Sequence, residues 1–364
     1  MKLRELTSFL DSEVPVRLQE SYDNAGLQVG NPEQEIASGL ITLDVTEEVM
    51  NEAIAGGLNI IISHHPLIFG GLKRVAGSSA TEKIVTAAIK NDIAVYSSHT
   101  NLDVYRNGVS RKMAEQFGLV NIRPLVPLRD RLLKLVTFVP ESHADTVREA
   151  VFGAGAGVIG NYDYCGYTVS GTGSFRGGDE TNPFVGEKGK IHSEKEIRFE
   201  TILFSHLRGS VVKALLGAHP YEEVAYDLYP LQNETTEEGL GCTGELKEPV
   251  TETGFLDLAA TIFGNGRIRY SNPTGRKVSK VALCGGSGSS LLADAIAKGA
   301  DAFITADVKY HSFREAEKRI LLIDAGHFET EKFAAEILYD LIIKKFPNFA
   351  LRFSDSNNNA VNYL

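Results

Sequence analysis

Two stretches decide the fold: EAIAGGLNIIISHH at Glu52–His65 and DAIAKGADAFITAD at Asp294–Asp307. Nine of their 14 aligned positions are identical or closely similar, which marks an internal repeat. Each copy reads as the end of a helix followed by a buried strand, because a short apolar run bounded by glycine and polar residues is what a strand covered on both faces looks like. A strand and a helix precede each copy, starting from Leu40–Leu43 and from Val281–Cys284. A helix and another strand follow. Those strands end in histidines: Ile93–Ser98 leads to His99, and Ile320–Ala325 leads to His327. Four residues on, each half has a carboxylate, Asp103 or Glu331. The recurrence predicts an α/β fold of two similar halves, 1–127 and 233–364, packed together.

Within the first half, Leu3, Leu6, Phe9 and Leu10 have helical spacing, and Pro15 stops the helix. Strands are expected at 27–29, 39–43, 59–62 and 93–96, with helices at 47–55, 80–90 and 111–117. The style changes near Leu128. A strand at 132–139, a helix at 143–153, a long loop at 171–189, a strand at 197–203, a helix at 208–216 and a strand at 225–229 follow. That order fits an inserted ferredoxin-like α+β domain at 128–232.

Composition narrows the function classes. The 364 residues are 43% hydrophobic, as a globular chain requires. Lys plus Arg total 37 against 47 Asp plus Glu, a net charge of −10, which argues against nucleic-acid binding through phosphate neutralisation. No apolar run approaches the roughly 20 residues of a membrane span, and charges interrupt MKLRELTSFLDSEVP too early for a signal peptide. Cys165, Cys242 and Cys284 form no CxxC pair, so neither a disulfide framework nor a thiolate zinc site is indicated. The expectation is a reduced, cytoplasmic protein.

The chemistry-bearing residues stand at strand ends, where α/β sheets hold ligands. His64-His65-Pro66 closes one buried strand; it reads as a ligand pair or as a solvated loop. Asp103 is a carboxylate ligand or a turn cap. His99 is a ligand, an orienting donor to Asp103, or a proton shuttle. His327 and Glu331, at i and i+4, share a helix face. His64, His65, Asp103, His327 and Glu331 offer five N/O donors, more than one tetrahedral zinc needs. They suit two divalent ions, Zn, Fe or Mn, sharing a bridging group. The segment Asp307-Val308-Lys309-Tyr310-His311 is the repeat's counterpart of His64-His65, and its Asp307 and His311 are outer-sphere or substrate groups or part of a plain helix start. His99 and His311 are the candidate catalytic proton carriers. Gly285-Gly286-Ser287-Gly288-Ser289-Ser290 lacks a nucleotide signature, and a tight βα turn is its default reading.

YDNAGLQVG, IISHHPLIF, SSHTNLD, GGSGSSLL, DVKYH and GHFETE occur in that order. Together they resemble the NIF3-like family, dinuclear-metal proteins labelled GTP cyclohydrolase 1 type 2. The resemblance implies His64, His65, Asp103, His327 and Glu331 as ligands of a two-metal site, two divalent ions per chain, and a ring-shaped homohexamer with the metals facing a cavity. AHPYEEVAYDLYPL resembles the end of the PII/CutA1-like insert of longer members. Two functions follow as expectations. One is a metal-dependent hydrolase acting on a nucleotide or related small molecule. The other is a non-catalytic metal-holding or regulatory scaffold, whose insert binds a ligand or partner through Tyr221, Glu222 and Tyr226.

Overall fold

The computed structural model describes residues 1–129, 131–234, 237–264 and 268–362. The first segment runs α1 (Leu3–Glu13), β1 (Gly26–Val29), β2 (Ser38–Thr42), α2 (Glu47–Ala55), β3 (Ile60–Ser63), α3 (Ala80–Lys90), β4 (Ala94–Ser97), α4 (Thr100–Val104), α5 (Val109–Gln116) and β5 (Val120–Pro127). Thr46 and Ser79 accept hydrogen bonds from the amides of Val49 and Glu82 and so fix where α2 and α3 begin. β2, β3 and β4 are parallel, and β1 lies antiparallel beside β4. All four residues of β3 are buried, because helices or a second sheet cover both faces. Ile60 and Ile62 enter one core and Ile61 another, as the two-residue period of a strand requires.

The middle segment is a compact unit of its own, Leu128–Thr235; the other unit is Met1–Pro127 with Thr236–Leu364. It contains β6 (Leu132–Pro140), α6 (Ala144–Gly153), β7 (Gly166–Arg176), β8 (Ile191–Phe204), α7 (Arg208–Ala218) and β9 (Tyr226–Leu231). The strands are antiparallel in the order β7–β8–β6–β9. Leu135, Val139 and Phe199 form its core with Val147, Val151, Val211 and Leu215 from the two helices. The expected loop at 171–189 is corrected in part. Its first residues belong to β7, paired with β8 from Gly166 opposite Thr201 to Arg176 opposite Ile191. Glycines 166, 171 and 173 hid a strand that is mostly exposed at the sheet edge and therefore lacks an apolar run.

The last segment runs β10 (Gly239–Thr251), α8 (Glu252–Phe263), β11 (Arg269–Tyr270), β12 (Lys277–Leu283), α9 (Leu292–Ala297), β13 (Ala302–Thr305), α10 (Tyr310–Ala316), β14 (Leu321–Asp324), α11 (His327–Glu331), α12 (Phe333–Lys345) and β15 (Ala350–Phe353). Here β12, β13 and β14 are parallel and β11 is antiparallel beside β14, the arrangement of β2, β3, β4 and β1 repeated. Strands also change sides. β15, from the end of the chain, pairs with β2, while β5 pairs with β10 in the second sheet. Ile60, Ile62 and Tyr96 of the first sheet share one buried cluster with Val281, Ile304 and Ile323 of the second.

Glu52 clamps the chain after β15. Its Oε2 accepts from Ser354 Oγ at 2.6 Å and from the Ser356 amide at 3.2 Å, and its Oε1 accepts from the Asp355 amide and the Arg352 guanidinium. Burial opposes ionisation, but these donors prevail and hold the carboxyl at about 2 instead of 4.5. An acid depressed in this way stabilises the fold above its unfolded pKa and loses that contribution as pH falls towards its folded one. Glu52→Gln should therefore cost about 2 kcal/mol at neutral pH. Paired melting curves should converge below about pH 4. A gap of constant size down to pH 3 would refute the clamp.

Candidate metal centre

β3 ends at Ser63, and the chain then curls over the sheet edge. The amides of His64 and His65 both donate to the β2 side, to Thr42 O at 3.3 Å and Leu43 O at 3.0 Å. Successive amides of a regular strand point to opposite neighbours, so this segment has left the ladder. Ser63 Oγ holds the curl, contacting Ser97 Oγ at 2.8 Å and donating to His65 O at 2.7 Å. Two adjacent imidazoles thereby turn to one side, with ring centroids 5.1 Å apart.

Each histidine is anchored through Nδ1. His64 Nδ1 donates to Ser98 O at 2.8 Å, His65 Nδ1 to Asp44 Oδ1 at 2.8 Å, and His327 Nδ1 to Asp307 Oδ2 at 2.7 Å. Carbonyl and carboxylate oxygens only accept, so the hydrogen resides on Nδ1 and Nε2 is free to ligate. The three Nε2 atoms gather around Glu331 on α11. His65 and His327 reach its Oε2 at 2.9 Å each, and His64 lies 3.9 Å from its Oε1. Asp103 Oδ1, from α4, lies 3.8 Å from His64 Nε2. Both of these last atoms are buried with no hydrogen-bond partner among the described residues. A buried polar atom left so costs about 1–3 kcal/mol, and a cation between them would remove the cost. Ligand atoms of His64, Asp103 and Glu331 lie within 4.8 Å of one another, as do those of His65, His327 and Glu331 and those of His64, His65 and His99. The five residues expected as ligands are thus brought together, and they could hold a divalent metal.

The charges agree. Burial drives His64 down to about 3, so it is neutral. Burial opposes a charge on His65, yet Asp44 and Glu331 raise it to about 10; Glu331 and Asp307 raise His327 to about 9. Burial, then the Glu331 charge, pushes Asp103 well above the carboxylate range. Glu331 is itself held low by His327 and His65 despite its burial. Protons on His65 and His327 balance Glu331, and a divalent cation would replace them.

His99 does not orient Asp103. Its Nδ1 bonds Asp23 Oδ1 at 2.8 Å, and its ring lies 5.3 Å from those of His64 and His65. Asp23 also accepts from the Thr100 amide at 3.0 Å and from the Thr100 hydroxyl; against the opposing burial, the His99 bond and then these keep it ionised. His311 is exposed on α10 beside Tyr310 and belongs to none of the three donor groups. The glycine loop is a βα turn whose amides face inward: Gly286 N donates to Thr330 Oγ1 and Gly288 N to Thr305 Oγ1. Gly286 has φ +59°, and a Cβ there would lie 1.9 Å from Glu331 Oε1. The missing side chain is what lets the carboxylate sit against the turn. Glu329 accepts a hydrogen bond from Asn359 at 2.9 Å. Asp44, Asp23 and the exposed ring pair Tyr22–Phe69 (6.3 Å apart, with Phe69 6.1 Å from His99) escaped the sequence reading, although Asp23 lies within YDNAGLQVG.

The family described as Duf34/NIF3 (NGG1p interacting factor 3) matches residues 1–360. A Halalkalibacterium halodurans protein named GTP cyclohydrolase 1 type 2 homolog is 42% identical over 315 residues, 86% of this chain and 85% of its own. The Bacillus subtilis protein of the same name is 38% identical, covering 84% and 83%. A solved Bacillus cereus protein related to NIF3 superposes with a TM-score of 0.83 at 38% identity, covering 100% and 99%.

Two substitutions test the geometry. Asp103→Asn replaces a carboxyl whose ionisation burial and the Glu331 charge oppose, so in chelator-treated protein it should raise stability by about 1–2 kcal/mol while lowering metal uptake. Denaturant titration and elemental analysis of one preparation read both effects, and a destabilised variant with full metal uptake would refute the assignment. Gly286→Ala should displace Glu331 and lower metal affinity, whereas Gly299→Ala, whose added Cβ would meet open space, should leave it unchanged.

Proposed function

The chain belongs to the Duf34/NIF3 family, and on that basis we propose a dinuclear divalent-metal protein that hydrolyses a nucleotide or related small molecule. The observation that carries this reading is the convergence of three Nδ1-anchored imidazoles and two carboxylates on one partly buried centre. His64, Asp103 and Glu331 would hold one ion, and His65, His327 and Glu331 the other; the donor types suit Zn, Fe or Mn. Ions bound there supply Lewis acidity and a water of lowered pKa.

The rest is done by the chain itself. Asp44 and Asp307 fix the rings of His65 and His327. Asp23 holds His99 by Nδ1, leaving Nε2 to accept or return a proton beside the centre. Tyr22 and Phe69 offer exposed ring faces next to His99, a platform on which a heterocyclic base would stack. Relatives named for GTP cyclohydrolase support trying GTP first. The insert's βαββαβ order supports a ferredoxin-like, PII/CutA1-like module. A homohexamer completes the proposal, and sedimentation would read it.

Metal content and GTP consumption should be measured together in wild type, Asp103→Ala and His99→Ala. The proposal expects about two ions per wild-type chain. It expects loss of both metal and turnover in Asp103→Ala. In His99→Ala it expects retained metal with turnover lower by about 10²-fold or more. Metal without turnover of GTP or other nucleotides would favour the scaffold reading, and absence of metal after reconstitution would overturn both.

A further inference from the structure

The inserted unit holds a cavity of about 610 Å³, within the size range of small-molecule sites. It lies on one face of the sheet. Leu135, Val139 and Phe199 pack with the helices, so their alternates Phe138 and Arg198 face the other way. Val169, Gly171, Gly173 and Phe175 of β7 stand opposite Arg198, Glu196, Glu194 and His192 and share that face. Gly171 and Gly173 therefore leave part of the cavity floor as bare backbone. A Cβ on Gly171 would meet nothing, whereas one on Gly173 would lie 2.0 Å from Glu196 Oε2. The glycine lets the Glu196 carboxylate lie across the strand.

The walls are aromatic and held in place. His219 contacts Phe138 O through Nε2 at 3.0 Å and accepts the Tyr221 amide on Nδ1 at 3.1 Å. This fixes a neutral ring that pins Tyr221. The Tyr221 hydroxyl donates to Glu196 Oε1 at 2.9 Å, and its ring lies 6.0 Å from Phe175 and 6.3 Å from Phe184. Glu222 accepts the Asn182 amide at 2.7 Å, tethering the segment that carries Phe184, which stays half exposed.

The charge balance is negative. Among the described residues Glu196 has no ion pair, and Glu222 and Glu223 add two further carboxylates to the lining. Arg198 is engaged by Glu200 at 2.8 Å and lies over the Phe138 ring. Arg176, the last residue of β7, is the remaining cation of the lining.

We propose that this cavity binds a small aromatic organic cation, its ring against Phe175, Phe184 and Tyr221 and its charge against Glu196. Aromatic faces attract cations through their quadrupole, and a carboxylate at the same place adds direct attraction. Every residue of this lining belongs to the unit Leu128–Thr235, and the residues of the metal centre belong to the other unit.

Titration calorimetry on the full chain can use benzyltrimethylammonium and benzylsulfonate, which share a ring but not a charge. The cation should bind at least about tenfold more tightly. Glu196→Gln and Gly173→Ala should each weaken it about tenfold, the second by evicting the carboxylate. Phe184→Ala, at a half-exposed position where folding is not at risk, should weaken it as well. Asp103→Ala should leave it unchanged. Equal affinity for the two probes, no binding of the cation at millimolar concentration, or full affinity in both Glu196→Gln and Phe184→Ala would overturn the proposal.

Discussion

A buried carboxylate cannot be left alone, and much of this centre is arranged around one. Glu331 is almost fully buried, yet it stays ionised because two imidazoles meet one oxygen and a third faces the other. Satisfying it sets demands on distant parts of the chain. The turn after β12 must lack a side chain at residue 286. The chain after β3 must curl out of its ladder so that neighbouring histidines face one way. Asp44 and Asp307 must hold two rings by their outer nitrogens, since a ring that flips presents the wrong atom.

The duplicated architecture is what makes these demands compatible. Parallel strands put their carboxyl ends on one edge of a sheet. In each half the third strand of the parallel set, β4 or β14, leads into a segment that carries a histidine and then a carboxylate: His99 and Asp103, or His327 and Glu331. The halves are not equivalent, however. The first adds His64 and His65, where the second has Ala306 and Asp307. One copy of the repeat therefore contributes ligands at that position, and the other contributes an aspartate that orients His327.

How far the sequence speaks follows the range of the interactions. The buried strands, the repeat and the histidine-bearing ends are local patterns, and all were legible. β5, β10 and β15 were not read, because pairing with strands far along the chain, rather than local periodicity, defines them. β7 was concealed by its glycines. Asp23 and Asp44 look like ordinary turn residues until the fold sets histidines beside them, 76 and 21 positions away. His311 had the opposite fate: its place in the repeat suggested chemistry, and the fold leaves it exposed on α10.

The pairing of β5 with β10 carries a consequence for how such a chain can change over time. Pro127, the last residue before the inserted unit, lies opposite Gly239 in the antiparallel ladder. In topological terms the whole unit Leu128–Thr235 occupies the position of a hairpin turn. Pro127 and Gly239 are already ladder neighbours, so a short turn could join them without moving either strand. Closing a longer loop adds entropy only logarithmically with its length. A lineage could thus gain or shed a hundred-residue module at this hairpin while keeping both sheets whose strand ends carry the histidines, and the module could acquire a ligand without renegotiating the metal chemistry.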